Sequence, residues 1–122
     1  MEDFLYDEVD FVFSEEISLM HLDQVILKSG KTWKRIDMII SPTHVTNIKH
    51  NNAGTIKEET VCIVTDFNPN FILKEYVGFT VVLRMKKDNG ITYVGSKDWP
   101  CTIHISSNLD YDKYTFQAKS SD

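Results

Sequence analysis

The chain has 122 residues, 42% hydrophobic and 25% charged, with five Gly and three Pro. These are globular values that exclude wholesale disorder and long low-complexity linkers, and no run approaches the roughly 20 apolar residues of a membrane span. The formal net charge is −5, and eight of the 18 acidic groups fall in residues 1–23, which hold no Lys or Arg. Such a chain is a poor phosphate binder, so sequence-specific nucleic-acid binding is not expected.

One domain spanning residues 1–122 fits this length. The start, MEDFLYDEVDF, is acidic where a secretory signal would be basic and then apolar, so no secretion signal is expected. Residues 1–8 read as a flexible acidic arm. Val9–Phe13 alternates as a short strand. Ser14 could cap one helical turn carrying Glu15 and Glu16, and residues 14–23 read as a loop or that single turn. QVILK at 24–28 is a strand closed by a Ser29-Gly30 turn. TWKRIDMII at 32–40 is ambiguous. Trp33, Ile36 and Ile40 have helical spacing, but the β-branched end and the preceding turn favour a strand.

Thr43–His50 and Thr55–Thr65 flank Asn51-Asn52-Ala53-Gly54, a turn rich in residues that tolerate positive φ. Polar at its tip and apolar at its base, the 43–65 hairpin should project from the body. Asn68-Pro69-Asn70 marks a turn, followed by Phe71-Ile72-Leu73, an apolar clip that could plug one end of the fold or form a helical turn. In GFTVVLRMKKDNGITYVGSKDWPCTIHISS, Phe79, Val81, Leu83 and Met85 form one strand face, opposed by Thr80, Val82, Arg84 and Lys86. Asn89-Gly90 is a hairpin turn. A three-residue loop would pair Met85 with Tyr93 and bring Ile91 and Tyr93 beside the apolar face, and this register is preferred over one pairing Met85 with Val94. Trp99-Pro100 is a candidate for a cis bond with trans the default. Cys101, Ile103 and Ile105 face inward, as do Tyr114, Phe116 and Ala118 of the last strand. The sum is an all-β fold, an antiparallel β-sandwich or partly closed barrel of about seven to eight strands with at most one short helix.

Chemistry is sparse. Cys62 and Cys101 lie in strand interiors and read as buried free thiols. His21, His44, His50 and His104 lack metal-ligand spacing, no Cys-x-x-Cys or phosphate-cradling glycine loop occurs, and the carboxylates Glu58, Glu59, Asp110 and Asp112 sit on turns or polar arms. No enzyme activity, cofactor or small-molecule substrate is expected. Trp33, Trp99, Tyr93, Tyr111 and Tyr114 could form a stacking platform for sugars, although core packing accounts for large aromatics more simply.

At NGITYVGSKDWP, with YTFQAKS and LKSGKTWKRID, the chain resembles small β-rich structural proteins of tailed bacteriophages and prophages. The resemblance covers about half of the chain and contains no diagnostic motif. It implies a ring-forming tail-tube, tail-terminator or head-to-tail joining subunit. Its partners would be copies of itself and neighbouring structural proteins, and its place a virion assembled in the host cytoplasm, with no membrane contact. No catalytic or ligand-binding residues carry over. The residues expected at the contacts are the acidic Glu2, Asp3, Asp7, Glu8 and Asp10, and Lys49, His50, Asn51, Asn52, Lys57, Glu58 and Glu59 of the hairpin. Complementary charge would set their register.

Overall fold

The computed structural model describes residues 6–21, 24–51, 54–76, 78–88 and 90–121. Among the described residues, ten strands form three antiparallel sheets around two apolar cores. The first sheet joins β1 (Glu8–Phe13), β4 (Lys34–Ile36), β7 (Val81–Lys87) and β8 (Gly90–Val94) in the order β4-β1-β7-β8. The second joins β5 (Thr43–Asn51), β6 (Gly54–Asp66), β9 (Thr102–Ser107) and β10 (Tyr111–Ser121) in the order β5-β6-β10-β9. A separate hairpin pairs β2 (Ile17–His21) with β3 (Gln24–Leu27).

Period-two alternation decides which faces meet. Val9, Phe11, Phe13, Leu83, Met85 and Val94 turn one face of the first sheet toward Val61, Ile63, Tyr114 and Phe116 of the second. Phe71 closes the end of this core, edge-on to Phe11 and Tyr114, and Leu73 of the single turn α1 (Ile72–Glu75) is buried beside it. Each such side chain contributes about 1.5–3 kcal/mol on burial. Val12 and Val82, on the far face of the first sheet, are covered with Ile17 by Met20, Val25, Leu27 and Trp33. The molecule is therefore a sandwich with a hairpin as a partial third layer. Two corner bridges tie the sheets together, Met38 to Thr65 and Val81 to Cys101.

The all-β sandwich reading holds, and within 32–40 the strand reading is right only for Lys34–Ile36, with Lys34 and Ile36 on the inner side, Met38 against the core through an isolated bridge, and residues 39–40 in a bend. Several expectations need correction. Residues 17–21 are strand, because the Ser14–Glu16 3-10 turn reverses the chain and lays Ile17 against Leu27. The hairpin register is neither of those weighed: Met85 pairs with Thr92, and Lys87 with Gly90. Asp88 takes the left-handed conformation (φ 50°) that a two-residue turn needs, so Ile91 and Tyr93 fall on the Arg84–Lys86 face. Trp99–Pro100 is trans. Residues 6–8 are not a free arm, since Tyr6 is buried, the Asp7 N–H bonds to the Lys86 carbonyl and Glu8 begins β1.

The 43–65 hairpin is integrated along its length. β10 pairs with β6 from Asp66 down to Ile56. β9 stops earlier, at Thr102 opposite Gln117, so the last turns of β5, β6 and β10 continue past it as a three-stranded lobe.

Candidate assembly surface

The second sheet has two edge strands, β9 and the longer β5. β5 pairs with β6 on one side through nine consecutive residue pairs, Thr43 with Cys62 to Asn51 with Gly54, without a register shift. Its other side has no strand partner among the described residues. Val45 and Ile48 are more than half exposed on opposite faces of this edge. A strand with its second row of N–H and C=O groups unpaired is a template for another strand. Pro42, buried at the corner, precedes the strand and does not interrupt it.

Charged side chains hold the lobe in shape. Glu58, on the outer face, accepts from Lys49 at 2.7 Å with Lys119 at 3.7 Å. The Lys49 hydrogen bond holds the Glu58 carboxyl below its ordinary value. On the inner face, Tyr6 Oη lies 3.3 Å from His44 Nδ1, and His44 Nε2 lies 2.9 Å from Glu59 Oε2. Lys57 Nζ sits 3.3 Å from the other oxygen of Glu59. Burial raises the Glu59 carboxyl, but His44 and Lys57 outweigh it and the net shift is downward. His50 Nδ1 lies 3.1 Å from Thr55 Oγ1, across the strand pair. The inner face of the lobe overhangs a groove of about 310 Å³ whose other wall is Met20, Tyr93 and Trp99.

The acidic residues of the N-terminal region go elsewhere. Asp10 is buried between Arg35 on β4 and Arg84 on β7, which donate to its two oxygens. Burial raises its carboxyl, and the two guanidinium groups bring it below the ordinary carboxylate value. Glu8 pairs with Arg35 at 3.0 Å and Lys86 at 3.8 Å. Asp7 accepts from the Asp88 N–H at 3.3 Å. Glu2, Asp3 and Asn52 lie outside the described residues. Of the expected contact residues, Lys49, His50, Lys57, Glu58 and Glu59 gather on the lobe, with Asn51 in its last pair. Asp7, Glu8 and Asp10 are spent on the fold.

The aromatic residues do not share a face. Tyr114 is fully buried, Trp33 lies beneath Arg84 and beside Tyr93, and Tyr111 is on the outer face of the second sheet. Cys62 and Cys101 are free. Burial, with the charge of Glu59, pushes the Cys101 thiol up to about 12. Among the described residues no three His, Cys, Asp or Glu are placed to hold a metal ion.

A second feature escaped the sequence. Phe13, Tyr76 and Phe79, from three separate segments, pack mutually at 5.2–5.8 Å between ring centroids. They wall a groove of about 440 Å³ lined also by Lys28, Lys31 and Lys34 and by Glu15 and Glu16. The spacing of the lysines was the available signal, and their coming together depends on long-range packing that periodicity does not encode. No protein family, curated protein or solved structure matches the chain.

Proposed function

We propose that this chain is a non-enzymatic assembly subunit whose copies join edge to edge, with β5 of one copy against a different sheet edge of the next. The ring would be of the kind built by tail-tube, tail-terminator or head-to-tail joining proteins of tailed bacteriophages and prophages. The observation that carries the reading is the β5 edge: nine residues in regular register, unpaired on one side, with Val45 and Ile48 exposed. That is about 30 Å of open hydrogen-bonding groups. Monomeric proteins blunt such edges with bulges, prolines or very short strands. β5 has none of these within its span, and its one lysine is engaged by Glu58. An added strand gains main-chain hydrogen bonds for affinity, while Val45 and Ile48 supply side-chain specificity. Measuring the mass of the native assembly tests the reading. A ring is supporting, and a monomer at high concentration is contrary.

A second reading, a carbohydrate-binding module, draws on Trp99, 49% exposed at the rim of the groove that Tyr93 lines. Tryptophan fluorescence unmoved by a panel of glycans would remove it.

A further inference from the structure

We infer that the groove between Phe13, Tyr76, Phe79 and the lysines 28, 31 and 34 receives the acidic N-terminal segment Glu2-Asp3-Phe4-Leu5 of a neighbouring copy. The inference rests on the assembly reading and names a contact for it. The groove combines two chemistries. Its wall is aromatic and open to solvent, Tyr76 and Phe79 each being about 40% exposed. Its rim carries Lys28, Lys31 and Lys34 against Glu15 and Glu16, a positive balance. Glu16, nearly buried, holds Lys34 at 3.1 Å and Lys31 at 3.9 Å, and also accepts from the Phe13 N–H. Lys28 has no acidic partner among the described residues, and its backbone N–H is pinned to the Glu16 carbonyl. Lys31, 51% exposed at its side chain, retains donors for a second carboxylate. An occupant should therefore carry carboxylates next to an apolar or aromatic side chain.

Glu2-Asp3-Phe4-Leu5 has that composition. Within one copy, chain length keeps Phe4 from the Phe13 end of the groove. Tyr6 is anchored beside His44, and the Asp7 N–H bonds to Lys86, at the start of β1. Phe13, in the groove, ends β1 seven residues later. At about 3.3 Å per residue the separation is about 23 Å. Phe4 is only two residues from Tyr6, about 7 Å of extended chain. Phe4 of the same copy therefore falls short of Phe13, and the inferred contact runs between copies, head to tail. A heterologous contact of this kind closes into a ring or continues as a filament.

Charge exchange in the full chain tests it, read as the concentration dependence of assembled mass by sedimentation. Glu2→Lys with Asp3→Lys, and separately Lys28→Glu with Lys31→Glu, should each weaken assembly at least about tenfold, and the four changes together should restore it. Phe4→Ala should weaken it by a similar factor, the effect of losing one buried ring. Lys28 and Lys31 lie outside the two cores, and circular dichroism will register any loss of fold in each variant. Wild-type assembly unaffected by the paired reversals, a fourfold variant that stays dissociated, or an inert Phe4→Ala would each overturn the inference and leave the β5 reading standing. A wild-type chain that never assembles overturns the assembly reading itself.

Discussion

Arg84 Nη2 lies 2.8 Å from Asp10 Oδ2, joining residues 74 apart in sequence across the pair of β1 and β7. With Arg35 on the other oxygen, the carboxylate is bracketed by two cations on adjacent strands. It fixes the register of three strands on a face that would otherwise be only partly apolar. Asp10→Asn keeps the shape and removes the charge, leaving two guanidinium groups facing each other. A loss of about 2 kcal/mol is expected, and at about 4 °C per kcal/mol thermal unfolding should shift down by about 8 °C.

Stability should fall in acid, with a definite sign. Asp10, Glu59, Glu58 and Asp112 all titrate below their ordinary values in the fold. For Asp112, burial raises the carboxyl, and hydrogen bonds from Ser107, the Asn68 N–H and Lys74 outweigh it. A carboxyl depressed in the native state stabilises above its unfolded pKa, near 4, and loses that contribution as pH falls through the lower native value. The unfolding midpoint measured between pH 7 and pH 2 should be nearly level to about pH 5 and then decline. A midpoint that rises on acidification would contradict these assignments.

Gly95 adopts φ +85°, and a Cβ there would stand 3.0 Å from Cys101 Sγ and 3.2 Å from the Cys101 nitrogen. Gly95→Ala should destabilise by about 1–3 kcal/mol from the backbone alone, with the contact adding to it. Denaturant unfolding checks this, and the corner bridge between Val81 and Cys101 is the part expected to loosen.

The two thiols should differ. Cys62 is partly exposed on the outer face, 3.8 Å from Thr115 Oγ1, whereas Cys101 is fully buried and donates to the Val94 carbonyl. In a native labelling experiment at neutral pH, one equivalent should react, at Cys62, and Cys101 should react only on unfolding. Peptide mapping assigns the label.

Elements with strong local periodicity were readable beforehand. Phe11 to Phe13, Leu83 to Met85 and Tyr114 to Ala118 all face where alternation puts them. Features set by distant partners were not. Asp112 looks like a turn residue beside Asp110, yet Lys74 and the Asn68 N–H hold it fully buried in β10. His44 reads as a surface residue of a polar arm until Tyr6 and Glu59 close on its two nitrogens. The Asp88 turn failed for a local reason: Asp tolerates positive φ almost as Asn does, so the loop could move one residue earlier without cost. The lobe was foreseen as an exposed place, but the pairing of β6 with β10 that stiffens it joins residues 59 apart, Glu59 with Ala118, and leaves no local trace.

The most direct test of the account is the mass of the native particle, by sedimentation, for the wild-type chain and for Val45→Lys with Ile48→Lys. Both side chains are already more than half exposed, so the substitutions should leave the fold intact while placing charge along the β5 edge. The account expects a wild-type ring and a double variant that sediments as a folded monomer. A wild-type chain that remains monomeric at high concentration, or a double variant that assembles as the wild type does, would contradict it.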